Sequence, residues 1–394
     1  MNSKKQIAII GSTGYTGASL VRILSAHPQV EIKYLSSNQY AGQKYSSVFP
    51  EFTGRVDLEC VNADEKFFET VDVDLVFFAT PNGLAKDYVP SLIAKGTHVV
   101  DLSADYRFKD LSTYETWYGF KRNDKDTNAK AIYGLVEFNR KQVKKLAESK
   151  SLSEKLPDAR LARNDEAELT SVNERLRDER NNADGTLQTG SIIGNPGCYT
   201  TSSILALGPL LQYAAKNDEL IDWNSIIIDG KSGISGAGRK AETQLLYTEL
   251  NESCSPYNLG GKHRHIPELE EFFSDLCTRD VNVTFSPHLI PMSYGLLTTC
   301  YVSIKEKDFN EATLRKIYQD FYKDEYFVHL LDEGVYPKTL SVVGTNNAHV
   351  QVSYDAKTQK VIITCAIDNL YKGAAGQAVQ NMNLVFGFEE NLGL

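Results

Sequence analysis

The chain has 394 residues, about two to three times the usual domain of ~100–200, so two domains are expected. Hydrophobic side chains make up 42% and charged ones 24%, a balance that excludes wholesale disorder. The net charge of −9 excludes a chain-wide basic surface for nucleic acid or anionic membrane, but not a local site for a small anion.

In chain order, residues 6–10 form a β-branched run ending at Gly11 and are predicted as a strand. Leu20, Ile23 and Leu24 give 18–26 helical spacing. Residues 31–35, 75–79 and 98–102 read as further strands, with a helix at 88–94. Strands alternating with helices predict βαβ units and a parallel sheet. Residues 141–190 break the pattern: they hold ten Lys/Arg and ten Asp/Glu, and no aromatic residue lies between Asn139 and Cys198. A surface insertion, partly helical or mobile, is expected there. Beyond it, 225–228, 282–285, 298–304, 349–353 and 361–367 read as strands of mostly antiparallel type. Helical patterns at 200–213 and 268–276 make the second domain α+β. A helix-like segment, 373–386, closes the chain.

The six cysteines are scattered, with no C-x-x-C pair, which fits free thiols in a reducing compartment. The apolar run 7–10 is too short for a signal segment, and no 18-residue apolar stretch occurs. A cytoplasmic protein is expected, with neither membrane nor nucleic-acid partner.

Gly11-Ser12-Thr13-Gly14-Tyr15-Thr16-Gly17 follows the first strand and opens the first helix. In a dinucleotide site the first glycine allows the tight turn, the second admits a pyrophosphate and the third lets helix and strand pack closely. The second strand ends in Ser36 and Ser37 with no carboxylate to bind a ribose 2′-hydroxyl, which points to NADP, although no arginine stands beside them in sequence.

Asn195-Pro196-Gly197-Cys198 precedes a helical pattern, so Cys198 is expected at a helix N-terminus. There free N–H groups and the helix dipole would lower the thiol pKa and make it nucleophilic. The run 262–268 (KHRHIPE) supplies His263 and His265 for proton transfer, with Glu268 expected to accept an imidazole N–H. Three convergent metal ligands are lacking, so no metal is assigned. Residues 229–239 are Gly-rich and carry Lys231 and Arg239. They lack the first glycine of a Walker A loop and are expected to hold a phosphate or carboxylate. Arg107, after the 98–102 strand, is a candidate anion clamp. Together these parts describe acyl transfer to a thiolate followed by hydride reduction.

The ordered runs GSTGYTG (11–17), DLSADYR (101–107), YGLVE (133–137), NPGCYTT (195–201), SGISGAGR (232–239), HRHIPE (263–268) and NLYKGAAGQAVQNMN (369–383) resemble the N-acetyl-gamma-glutamyl-phosphate reductase family. The resemblance implies an α/β fold of semialdehyde dehydrogenase type. Residues 1–197 and 366–394 would form a Rossmann NADP-binding domain carrying the 141–190 insertion, and 198–365 an α+β catalytic and oligomerisation domain. It implies Cys198 as nucleophile and His263 as acid/base, with Glu268 and Tyr257 close by. Arg107, Asn195, Ser235, Arg239 and His265 would surround an acyl phosphate. Asn369, Lys372, Gly373 and Gln377 would fold back against the nicotinamide. A homodimer or homotetramer is implied. An aspartyl- or aminoadipyl-phosphate reductase, and a non-catalytic NADP sensor, are the competing readings.

Overall fold

The computed structural model describes residues 3–151, 190–239 and 241–394. Strands β1 (Lys5–Ile10), β2 (Val30–Ser36), β3 (Cys60–Val61), β4 (Leu75–Phe78), β5 (His98–Asp101), β6 (Ala131–Tyr133) and β7 (Ile192–Gly194) form one sheet, ordered β3-β2-β1-β4-β5-β7-β6. Every pairing in it is parallel. Such strands are buried on both faces and read as continuous apolar runs. Thus Ile7 and Ile9 enter one core with Leu20, Val379 and Met382, while Ala8 and Ile10 enter another with Val89 and Leu92. The order turns back between β1 and β4, and that switch point opens a crevice at the strands' carboxyl ends.

The second sheet contains β8 (Ile227–Ser232), β9 (Ser255–Pro256), β10 (Thr284–Leu289), β11 (Leu296–Ser303), β12 (Val328–Leu330), β13 (Ala348–Asp355) and β14 (Lys360–Ile367), ordered β12-β13-β14-β11-β8-β10-β9. Its pairings are mostly antiparallel, as expected, and two are parallel, β8 with β10 and β12 with β13. For β8 and β10 the reason is the helix His265–Cys277 between them, which carries the chain back as a crossover. Burial alternates along β11, so one face of the sheet packs on helices and the other stays partly open.

The helix Cys198–Ala214 runs through the second core and is buried along most of its length. Pro209 lies inside it and lacks the N–H that would reach the Leu205 carbonyl. The Tyr322 hydroxyl donates to that carbonyl at 2.5 Å instead, which ties the helix Glu311–Tyr322 to it.

The helix Val136–Ser151 enters the polar stretch expected as an insertion; residues 152–189 lie outside the described residues. The closing segment is not one helix. A π-turn, Tyr371–Ala375, precedes the helix Gly376–Val385. The turn is pinned by Asp368, whose Oδ1 accepts the Leu370 and Tyr371 N–H groups at 2.7 and 3.1 Å.

Lys372 on that turn also departs from the expectation that it meets a cofactor. Its side chain is fully buried, with Nζ 2.6 Å from Glu137 Oε1 and 2.7 Å from Gln380 Oε1. A buried ammonium is stable only with paired acceptors, and these lie on the two helices beneath the turn. Lys372→Met, which leaves Glu137 buried without its cation, is expected to destabilise the protein by about 3–5 kcal/mol in urea unfolding. The double variant Lys372→Met/Glu137→Leu should recover most of that loss, since no charge is then stranded.

Candidate active site

The Gly-rich loop is shaped by steric necessity. Gly11 has φ +80°, and a Cβ there would stand 2.4 Å from the Ala79 carbonyl oxygen; a Cβ on Gly17 would stand 2.2 Å from the Gly11 oxygen. At Gly14 the nearest atom to such a Cβ is 3.6 Å away, so the loop is open on that side. Gly14 is also the N-cap of the helix Tyr15–Leu24, and no side chain caps that end. The first-turn N–H groups of Tyr15, Thr16 and Gly17 have no intrahelical acceptors, so loop and helix end form a cradle for a phosphate. Ser12 donates to the Ser36 carbonyl from both N and Oγ, and Thr13 Oγ1 lies 2.8 Å from Ser37 Oγ. The end of β2 thus offers hydroxyls and no carboxylate.

Cys198 is the first residue of its helix, as expected, and lines an open cleft of ≈ 470 Å³ with Arg107, Tyr257, His263 and His265. The packing around it is tight. A Cβ on Gly373 would meet Cys198 Cβ at 2.8 Å, and one on Gly197 would meet His265 Nε2 at 2.5 Å. The expected lowering of the thiol pKa is overturned. Burial pushes it up to about 11, outweighing the favourable Tyr199 and Cys198 N–H groups and the Arg107 guanidinium. Burial likewise lowers both imidazoles, His263 to about 2 and His265 to about 3, helped by His265 and Arg264 for the first and by Arg107 for the second. At neutral pH the site therefore holds a thiol and two uncharged rings. His263 Nδ1 accepts the His265 backbone N–H at 3.1 Å, which places the His263 proton on Nε2.

Glu268 does not orient an imidazole, contrary to the sequence expectation. Its carboxylate accepts from Tyr133 Oη at 2.7 Å, Thr200 Oγ1 at 2.8 Å, the Gly197 N–H at 3.1 Å and Arg107 Nη1 at 3.1 Å. With its oxygens taken, Glu268 fixes the start of the Cys198 helix from behind. Arg107 is part of the same anchor, donating also to the Asn195 and Leu102 carbonyls at 2.7 Å each. Tyr133 and Thr200 have no role in the sequence reading, although both stand within motifs quoted there.

The remaining candidates divide by location. Asn195 is buried, donating to the Ala374 carbonyl and accepting from Asn381 at 3.1 Å each. It shapes the floor without lining the cleft. Ser235 accepts from Asn369 Nδ2 at 2.8 Å, and Asn369 Oδ1 accepts the Gly295 N–H at 2.8 Å, so this pair steadies the loop whose Gly236 lines the cleft. Gln377 is buried and donates to the Gly134 carbonyl at 3.0 Å. Arg239 is not among the residues lining the cleft; it donates to the Thr13 carbonyl at 2.6 Å.

Comparison with known proteins agrees with this layout. The family model for the semialdehyde dehydrogenase NAD binding domain matches residues 6–146, and that for the semialdehyde dehydrogenase dimerisation domain matches 198–369. The chain is 40% identical to the N-acetyl-gamma-glutamyl-phosphate reductase of Clostridium novyi over 99% of its own length and 97% of the relative's. It is 42% identical to that of Synechocystis sp. over 100% and 97%. The chain belongs to the N-acetyl-gamma-glutamyl-phosphate reductase family. Among solved structures it resembles aspartate semialdehyde dehydrogenase II of Vibrio cholerae, with TM-score 0.64 and 18% identity over 98% of each chain. It also resembles aspartate semialdehyde dehydrogenase with NADP from Candida albicans, with TM-score 0.62 and 17% identity over 99% and 100%. At those identities the likeness is one of fold.

A family member with this resting thiol should show a steep alkaline dependence of alkylation. In a Cys254→Ser background, which removes the exposed cysteine, iodoacetamide labelling of Cys198 should rise about tenfold per pH unit to beyond pH 9. A plateau reached near neutrality would show a thiolate already formed.

Proposed function

We propose that the protein reduces N-acetyl-gamma-glutamyl phosphate to N-acetylglutamate 5-semialdehyde and phosphate, with NADPH as reductant, as a step of arginine biosynthesis. The observation that carries this reading is the thiol at a helix N-terminus sharing one cleft with the His263 Nε2–H and with Arg107. The names of relatives at about 40% identity support the acyl phosphate as substrate. Two serines at the end of β2, with no carboxylate, support NADP over NAD.

The acyl carbon meets Cys198 Sγ, a C–S bond forms, and the C–O bond to phosphate breaks. The thiol proton leaves on the departing phosphate oxygen, so the neutral histidines need not take it. This route fits a thiol held up at about 11. The helix N–H groups and Arg107 favour the sulfur's developing charge. The cradle at Gly11, Gly14 and Gly17 would hold the nicotinamide cofactor, which would supply hydride to the thioester carbonyl and so leave a tetrahedral oxyanion on the substrate. His263 Nε2–H holds that oxyanion by a hydrogen bond. The oxyanion collapses, the C–S bond breaks, the aldehyde leaves, and the thiolate regains a proton from water.

The division of the chain follows the same logic. Residues 1–197 and 366–394 serve the cofactor, because the closing helix shares a core with β1 and the first helix. Residues 198–365 serve catalysis and assembly. The partly open face of the second sheet is our candidate contact with a second copy in a cytoplasmic homodimer or homotetramer, supported by the match to a dimerisation domain.

Two measurements check the chemistry. Phosphate-dependent NADP reduction with N-acetylglutamate semialdehyde should be present in wild type and absent in Cys198→Ser, with cofactor affinity retained. Activity only with the aspartyl or aminoadipyl analogue would move the protein to a sister reaction. His263→Ala should lower kcat by about 10²–10³-fold, the loss typical of one oxyanion donor. Single-turnover phosphate release from the acyl phosphate without cofactor should stay near wild type, because the oxyanion from hydride transfer forms only later.

A further inference from the structure

The Arg239 side chain crosses from the second sheet's loop to the first domain's Gly-rich loop, 226 residues earlier in the chain. Its Nη1 donates to the Thr13 carbonyl at 2.6 Å, and its other N–H groups have no hydrogen-bond partner among the described residues. The guanidinium lies 5.3 Å from the Phe49 ring centre and 6.0 Å from that of Tyr15. Flat aromatic neighbours restrict an exposed arginine and leave its N–H fork for an anion.

The position of the fork selects which anion. Thr13 is the residue whose hydroxyl meets Ser37 just past β2, and Phe49 belongs to the segment that follows β2. The cofactor's pyrophosphate belongs at the helix end beside Gly14, whereas the adenosine ribose belongs at the end of the second strand. Arg239 therefore stands on the ribose side, beside two hydroxyls and no carboxylate. We infer that Arg239 is the clamp for the 2′-phosphate of NADP and the residue that sets preference for NADPH over NADH. The inference rests on the cofactor reading above and supplies the arginine that no neighbour of Ser36 and Ser37 provides in sequence. It also gives the substrate domain a hand in holding the cofactor, so the two domains meet on one ligand.

The test is equilibrium binding, without turnover. Dissociation constants for NADPH and NADH are measured by nucleotide fluorescence on wild type, Arg239→Leu and Arg239→Lys, with 2′,5′-ADP as competitor. In Arg239→Leu the NADPH constant should rise about 10- to 100-fold, as expected for lost hydrogen bonds between charged groups. The NADH constant should stay within twofold, and 2′,5′-ADP should lose its competition. Arg239→Lys should recover part of the loss. A wild-type preference for NADPH that survives in Arg239→Leu overturns the clamp and leaves the NADP reading standing. Equal weakening of both nucleotides also overturns it, placing the arginine on the pyrophosphate. A wild type without preference removes the NADP reading itself and the clamp with it.

Discussion

Four donors converge on the Glu268 carboxylate, and the active site is built on that convergence. The Gly197 N–H and the Thr200 hydroxyl belong to the start of the helix that carries Cys198, Tyr133 ends β6, and Arg107 follows β5. One buried anion thus joins the first sheet to the helix that carries Cys198. Its desolvation is tolerable because each oxygen is met by hydrogen bonds and a cation lies at 3.1 Å. Removing one donor would strand part of that charge, so the anchor is cooperative. Glu268 shapes the position of the sulfur without touching the substrate cleft.

A second polar assembly acts from the opposite side. Asn381 and Gln377 on the closing helix both donate to the Gly134 carbonyl, and Asn381 also reaches Asn195. Lys372 joins the same helix to Glu137. Buried amides and a buried ion pair add little net stability compared with well-packed apolar groups. What they impose here is register. A slip of the π-turn would move Gly373, whose bare Cα is what allows the turn to lie against Cys198. The composition of the closing segment follows from this: small residues where the turn meets the thiol, amides where the helix meets the loops.

Much of the fold was legible in the sequence because its central strands are buried on both faces and read as continuous apolar runs. The strands at 6–10, 75–79 and 98–102 and the helices following Gly14 and Gly197 appear within a few residues of expectation. The short strands β3 and β12 have too few residues to carry a periodicity, whereas the helix Glu311–Tyr322 does carry one, with Leu314, Ile317, Tyr318 and Tyr322 on one face, and the sequence reading passed over it. The site was legible as a set of motifs but not as a set of contacts. Asn195, Lys372, Gln377 and Glu268 stand in chemistry-bearing runs, and all four turn inward to bond other groups of the protein. Local sequence cannot separate a residue that meets the ligand from one that meets the residue behind it. Arg239 illustrates the converse, since its neighbour Thr13 is brought to it only by the packing of two domains.

The electrostatic state of the cleft is the feature least visible from residue types. A cysteine at a helix N-terminus beside an arginine suggests a thiolate, yet burial outweighs both and leaves the thiol protonated. The same burial keeps His263 and His265 uncharged. A resting thiolate would be open to oxidation and alkylation. A neutral site avoids that hazard, and an acyl phosphate brings its own proton acceptor in the leaving phosphate. In the proposed reaction the substrate itself is then what activates the Cys198 sulfur. On this view the protein's fixed donors serve the later, harder moment, when negative charge gathers on the thioester oxygen and a single oriented N–H is worth most.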